Sequence, residues 1–368
     1  MSSVAQQDRI YFLDHLRTFM IFLVVMLHAG VVYESSGAAG FFWIVYDFST
    51  NPVVDVLNTI LDIFIMAIIF FVSGYLTPLS LKCKSVWAFT RTKLKRLMLP
   101  WALGVLFLMP LYKMIFLASR GMPQQHWTTY VYFNNGIFSQ SWLWFLPVLF
   151  LFNLLYLGLS RLKLKGPRFS LRAMVVLVFV VGLAYSVTMD FLNLEGWTKN
   201  ALFNFQNERL LIYFMVFLLG AFFQKRRVFI SPLKNRMVFF LTVCTVWVPV
   251  ALYRYLHMNP GTSVLPGAVE VLAHWLSFHL SLAGVMFVLI NTFRMWINGQ
   301  GKVTCVLNAN AYGVYVIHTV VMGGVAWLLL DVAMPSVVKF CILTLATYGL
   351  SNGVVWFYHQ GKMWFKNA

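Results

Sequence analysis

The chain has 368 residues, 60% hydrophobic and 11% charged, with 35 phenylalanines and a mean hydropathy of +0.77. That leaves too little polar surface for a water-soluble domain of this length, and several apolar runs exceed the roughly 18 residues of a membrane-crossing helix. The net charge of +17 does not signal nucleic acid, because the chain offers no soluble basic domain to bind it; the runs are also too long and too uniformly apolar for the alternating strands of a barrel.

The expected fold is an all-α integral membrane protein with about ten transmembrane helices, near 17–33, 56–78, 98–118, 142–160, 172–190, 207–223, 237–256, 270–292, 303–330 and 335–358. Ten spans return the chain to the side where it began. Of the 28 Lys and Arg, 22 fall on that side, so the positive-inside rule places both termini in the cytoplasm. The expected organisation is a short cytoplasmic segment (1–16), one transmembrane domain (17–359) and a cytoplasmic tail (360–368), with no soluble appendage. The first span is long, carries a histidine and lacks a small-residue exit site, so it does not read as a cleavable signal. Neither internal repeats nor low-complexity tracts are visible. The four cysteines, Cys83, Cys244, Cys305 and Cys341, lack metal-ligand spacing; neither a metal site nor a disulfide is expected.

The stretch that leads into and holds most of the first span reads "LDHLRTFMIFLVVMLHAGVV". Arg17 and His28 are eleven residues apart, which is three helical turns plus about 20° and an advance of about 16 Å. They therefore share one helix face at two depths. Ionisable groups in hydrocarbon are expensive and usually face a bundle interior or cavity. Arg17 alone also suits an interfacial anchor, and His28 alone a helix–helix hydrogen bond; together they favour a line of sites along a pore. The loops at 34–55, 119–141 and 191–206 carry Trp43, Trp127, Trp197, Asn51-Pro52 and Asn134-Asn135-Gly136, which read as interfacial aromatics and turn formers.

On the second span Asp55 and Asp62 are seven apart and share a face. Ser73-Gly74-Tyr75 follows Phe70-Phe71 near its end; a glycine beside a serine permits close helix approach as readily as it marks a site. Before the third span stand Arg91, Lys93, Lys95 and Arg96, with Pro100 in its first turns. Cations there suit a phosphate-rich cofactor, and they suit lipid headgroups and topology nearly as well. "SWLWFL" opens the fourth span, where an aromatic belt explains Trp142 and Trp144 as well as a site does. Glu208-Arg209 reads as an ion pair. His274 and His279 are five apart, do not share a face and read as ordinary. In the ninth span Tyr312, Tyr315 and His318 fall at i, i+3 and i+6 and form a stripe, with His318 about 9 Å deeper than Tyr312. His318 suits either a structural hydrogen bond or a second site histidine.

In this order the motifs resemble the membrane-bound acyltransferase-3 family. Arg17 to His28 resembles its R-x10-H signature, "IFFVSGY" (69–75) its Phe-Phe-x-x-Ser-Gly-aromatic motif, and "KLKRLMLP" (93–100) its basic-plus-proline element. "SWLWFL" resembles its His-Leu-Trp-Phe-Leu element and "AYGVYVIH" (311–318) its late Ser-Tyr-x-x-Tyr-x-x-His element. "YFLDHLR" and "VLNANAYGVYVIH" look closest to the glucan-biosynthesis-protein-C branch, which succinylates periplasmic glucans. The likeness runs from about residue 11 to 359. Departures are Ile69 at the first aromatic of the Phe-Phe-x-x-Ser-Gly motif, Lys93 for the usual first Arg, which keeps charge but loses bidentate geometry, Trp142 where relatives often carry His, and Ala311 for Ser.

The resemblance implies an O-acyltransferase of a bacterial inner membrane. It would move an acetyl or succinyl group from cytoplasmic acyl-CoA to a hydroxyl of an extracytoplasmic glycan or lipid-linked sugar. It assigns His28 as general base or acyl relay, Arg17 to the donor and the catalytic centre, and His318 as orienter or second base. Lys93, Arg96, Ser73 and Tyr75 fall on the donor side; Tyr312, Tyr315, Asp62 and Trp144 fall to the substrate. The competing readings are a transporter of an amphipathic or anionic solute, with Arg17 as its binding charge, and a structural or regulatory membrane partner.

Overall fold

The computed structural model describes every residue except 1–9, 83, 127–128, 130–139, 163–169, 201, 232, 234, 262–264 and 368, and describes the backbone only at 38 and 364–367. Arg9, Cys83, Trp127, the 134–136 turn and the cations within 163–169 therefore lie outside the described residues. Among the described residues ten helices are long and apolar enough to cross a membrane. They are α1 (Tyr11–Val31), α2 (Pro52–Lys82), α3 (Val86–Ala118), α4 (Ser141–Arg161), α5 (Leu171–Phe191), α6 (Asn207–Lys225), α7 (Arg236–Met258), α8 (Gly267–Trp296), α9 (Lys302–Leu329) and α10 (Ser336–Met363). The strand content among the described residues is one short antiparallel pair, β1 (Trp197–Lys199) and β2 (Asn204–Gln206), between α5 and α6. This is an all-α integral membrane protein of ten spans.

Several helices begin earlier than hydropathy suggests. α1 starts at Tyr11 rather than at 17, because tertiary partners satisfy its polar first turns: Asn298 Oδ1 accepts from the Phe12 N–H at 3.1 Å, taking one of the orphan donors of a helix start. α3 starts at Val86 rather than near 98, so the basic stretch is helical. Ser85 caps it by accepting from the Ala88 N–H. Within α3 the backbone widens to π-helix twice, at Leu94–Met98 and Gly104–Leu108. Each widening lies just ahead of a proline, Pro100 or Pro110. Proline has no N–H for the carbonyl four residues back, and the widened turn accommodates that break.

The chain divides into two compact units, one of residues 1–65, 111–124 and 286–368, the other of 66–110 and 125–285. The second unit is built on aromatic rings. Phe70 sits among Phe145, Phe152 and Tyr213 with centroids 4.8, 5.0 and 5.3 Å away. Close helix approach is written into two glycines. A Cβ on Gly74 of α2 would collide with the Phe217 carbonyl of α6, and one on Gly220 of α6 with the Phe71 carbonyl of α2. Gly74 thus performs the packing role that its sequence neighbourhood allowed.

The first unit is organised by α1, α9 and α10. α1 and α9 run parallel in fixed register: Thr18 pairs with Asn308 and His28 with His318, each across an offset of 290 residues. α10 returns alongside α9, with Asn310 Nδ2 donating to the Asn352 carbonyl at 3.3 Å and Val355 packed over Gly313.

Candidate active site

The register of α1 against α9 brings together two histidines from opposite ends of the chain. His28 Nδ1 lies 2.8 Å from His318 Nε2, and the rings are nearly coplanar in orientation, 6° apart. The hydrogen-bond pattern assigns the tautomers. His318 Nδ1 is 2.7 Å from the Tyr315 carbonyl, which can only accept, so the proton of His318 sits on Nδ1. His318 Nε2 is then an acceptor, and it receives both His28 Nδ1–H and, at 3.1 Å, the Thr319 hydroxyl. His28 therefore carries its proton on Nδ1 and its lone pair on Nε2. His318 and Thr319 are wholly buried, whereas His28 is half-buried. A half-buried imidazole with a free lone pair, oriented by a buried partner, is the arrangement of a general base and its orienter.

The segment between α1 and α2 covers this pair. Trp43 lies 5.0 Å from His28, centroid to centroid, and is itself buried. Arg120, just past the end of α3, fastens the segment. Its guanidinium donates to the carbonyls of Gly40, Trp43 and Ile44 at 2.9, 3.0 and 3.4 Å. Tyr112 adds a bond from its hydroxyl to the Phe42 carbonyl at 2.6 Å. Gly323 of α9 leaves the space into which Ile44 sinks. A cation spent mainly on backbone carbonyls is a positioning group, and here it sets where the Trp43 ring meets His28.

Towards the start of α1 a second polar set surrounds Asn308. Its amide nitrogen is 3.1 Å from His15 Nδ1, its amide oxygen accepts from Thr18 Oγ1 at 2.6 Å, and its carbonyl accepts from Arg17 Nη2 at 3.4 Å. His15 Nε2 is 2.8 Å from the Gly299 carbonyl, so that nitrogen carries the proton and Nδ1 accepts. Asp14 lies 3.4 Å from the Arg17 guanidinium. Replacing Asn308 with alanine is expected to strand His15 Nδ1 and Thr18 Oγ1 and to cost about 1–3 kcal/mol. The thermal unfolding midpoint of the solubilised protein measures this, and an unchanged midpoint would refute the role given to Asn308.

An acyltransferase domain model, that of the acyltransferase-3 family, matches residues 10–356, nearly the whole chain. The chain belongs to the acyltransferase-3 family. It is 27% identical over 271 residues, 70% of this chain and 67% of each relative, to the glucans biosynthesis protein C of Salmonella schwarzengrund (strain CVM19633) and of Salmonella agona (strain SL483). No solved structure matches it.

The residues that the acyltransferase-3 motifs single out fall in both units. In the first unit Arg17, His28, Tyr315 and His318 line up along α1 and α9. Tyr315 is 3% exposed and its ring is 6.1 Å from His318. Tyr312 departs from the expected stripe and is 42% exposed, since six residues on a helix turn it about 120° away from His318. Asp62 is half-buried on α2, and Asp55 accepts from the Ser35 N–H at 3.1 Å. In the second unit Tyr75 packs on Phe229 at 5.3 Å and Ser73 offers its carbonyl to Thr77 at 2.8 Å. Trp144 packs on Trp197 at 5.4 Å. Lys93 lies over the Phe89 ring at 5.3 Å, and Arg96 is exposed. Glu208 accepts from the Gly196 N–H at 2.8 Å, while Arg209 donates to Tyr253 at 3.2 Å and covers the Phe278 ring at 4.9 Å.

Sequence reasoning missed His15, Asn308, Trp43 and Arg120. His15 and Asn308 each stand inside a quoted motif, "YFLDHLR" and "VLNANAYGVYVIH". For Asn308 the available signal was a polar residue inside an apolar span; His15 lies ahead of the first expected span, and its place inside the motif was its only signal.

Proposed function

We propose that this acyltransferase moves an acetyl or succinyl group from acyl-CoA to a hydroxyl of a glycan or lipid-linked sugar. His28 Nε2 takes the hydroxyl proton as the oxygen attacks the thioester carbonyl. The carbon–sulfur bond breaks, and the departing thiolate receives the proton from His28. Sugar hydroxyls are weak nucleophiles, which is why a base must act in the transition state. His318 takes the Nδ1–H bond of His28 throughout, so the imidazolium that forms is held in place and its charge is shared. Arg17 serves the donor, with Lys93, Arg96, Ser73 and Tyr75 assigned to its phosphate and thioester portions. Tyr315, Tyr312, Asp62 and Trp144 are assigned to the acceptor. Both termini face the cytoplasm of a bacterial inner membrane, the donor enters from that side, and the acceptor arrives from the other.

What supports the reading is the direction of the hydrogen bonds at His28 and His318, which leaves one lone pair oriented for proton abstraction. The names of the Salmonella relatives support a glucan as acceptor. The test is purified protein in lipid nanodiscs supplied with acyl-labelled CoA and periplasmic glucan, read by mass spectrometry of the glucan. Label on glucan hydroxyls is the expected result. Passage of solute across a sealed vesicle without any change of mass would establish the transporter instead, and label that remains on the protein and maps to His28 would establish a covalent acyl-histidine relay.

A further inference from the structure

The ends of α2, α4 and α6 form an open cavity of about 530 Å³ in the second unit. Five cations line it: Lys82 and Lys84, Arg161, and Lys225 and Arg227. Among the described residues no carboxylate does. Its volume lies within the roughly 300–1,000 Å³ of small-molecule sites. The geometry points to a binding site for phosphate esters, formed by these cations together with Gln224.

Two ordinary explanations of the charge fall short. Cations do belong at helix C-termini, where each helix contributes about half a negative charge. Three helix ends therefore offset about 1.5 of the five positive charges and leave about 3.5 in excess. Topological charge bias explains why cations are on this side, but not why they converge. Arg172 at the start of α5 is exposed and is not among the residues that line this cavity. Converging cations over low-dielectric walls concentrate anions.

Two local features separate the cavity from a chance gathering of lysines. The first is Gln224, which lines it at 8% exposure with its Oε1 lacking a hydrogen-bond partner. A buried amide left with an open polar atom is stabilised by a partner; a turn of the Gln224 side chain presents Oε1 to a ribose hydroxyl or a protonated phosphate oxygen. The second is Arg227. α6 closes with bonds from the Arg227 N–H to Gln224 and from the Val228 N–H to Phe223, the pair that normally ends on a left-handed glycine. Here the left-handed residue is an arginine, with φ 52°. Arg227 in this conformation is one of the residues that line the cavity. Tyr156, 6% exposed, lies beneath Lys225, whose Nζ is 5.6 Å from the ring centre.

A nucleotide phosphate and an anionic phospholipid headgroup share this chemistry, and the experiment separates them. The site does not depend on the acyl-transfer reading, since loss of binding here and loss of turnover at His28 are measured apart. The full-length protein in phosphatidylcholine nanodiscs is titrated calorimetrically with adenosine 3′,5′-bisphosphate and with inorganic pyrophosphate. In parallel, native mass spectrometry counts phosphatidylglycerol retained from mixed nanodiscs. Binding of the soluble probes marks a nucleotide-type ligand, and retention of phosphatidylglycerol alone marks a headgroup; each supports the site. Arg161→Glu with Lys225→Glu is expected to weaken whichever binds by at least about tenfold. Arg172→Glu should leave it within about twofold, as a charge acting only through the general field. Arg161→Gln repeats the comparison if the double reversal disturbs folding. The proposal is overturned if no probe binds the parent protein, or if Arg172→Glu weakens binding as much as the cavity variants do.

Discussion

His28→Ala is expected to lower acyl transfer by about 10²–10⁴-fold, the range that a positioned general base supplies, while the protein keeps its unfolding midpoint and its helical content. The substitution removes a half-buried ring without stranding a charge. His318 Nε2 keeps the Thr319 hydroxyl at 3.1 Å as a partner. His318→Ala should cost less than His28→Ala, because the base remains but loses the acceptor that fixes its tautomer. Part of the His28 population would then carry the proton on Nε2, the nitrogen that must abstract one. His318→Gln, whose side-chain oxygen accepts from Nδ1–H, should recover part of the loss. Two residues acting as one unit are not additive, so the double alanine variant should turn over no more slowly than His28→Ala alone. Turnover of the His28→Ala protein within about tenfold of the parent would remove His28 as the base. Fully additive losses would separate the two histidines.

Much of the fold was legible because a membrane leaves helices few alternatives. Every backbone group must be satisfied within its own span, so apolar length alone located all ten helices. What hydropathy missed were ends whose polar groups are satisfied by tertiary contacts. Residues 11–16 join α1 because Asn298 and Gly299 receive them. Residues 86–97 join α3 although they carry most of its charge. The paired π-helical turns were implicit in Pro100 and Pro110. Their consequence depends on which carbonyl each proline abandons, and a hydropathy window does not register that.

The candidate site was legible where it is local and hidden where it is not. Arg17 and His28 stand on one helix, so helix periodicity alone relates them. The partner of His28 is 290 residues away; the spacing of the ninth span relates His318 only to its own helix, and it was the family resemblance that offered it as an orienter. His274 and His279 illustrate the opposite case. They do not share a face, yet His274 joins Tyr253 and His257 at 5.0 and 5.9 Å, and His279 bonds to the Trp275 carbonyl at 2.8 Å. Trp43 and Arg120 were readable only as an interfacial aromatic and a stray cation. Their roles come from the path of one irregular segment, whose carbonyls have no ladder of their own and are collected by a guanidinium.

That segment rests on a buried ion pair, and breaking it from either side should be costly. Lys339 Nζ of α10 lies 2.8 Å from Asp47 Oδ2, with the two side chains 4% and 8% exposed. Lys339 also donates to the Leu330 carbonyl at 3.1 Å, and Asp47 accepts from the Ser49 N–H and hydroxyl at 2.9 and 2.7 Å. Lys339→Met leaves a buried carboxylate and Asp47→Leu a buried ammonium, and each is expected to destabilise by about 3–5 kcal/mol. The double replacement removes both charges and should recover most of that loss. Burial works against ionisation of Asp47, but the bonds from Lys339 and Ser49 outweigh it and hold the carboxyl below its ordinary value. A depressed carboxyl contributes its stability above the unfolded pKa of about 3.9 and loses it as pH falls through the folded value. The gap in unfolding midpoint between the parent and Asp47→Asn should therefore be constant from neutral pH to about pH 4 and close below it. Because the same segment holds Trp43 against His28, the single variants should also lose turnover at temperatures where they remain folded. Single variants as stable as the parent, or a gap that widens in acid, would show that the ion pair does not hold the segment in place.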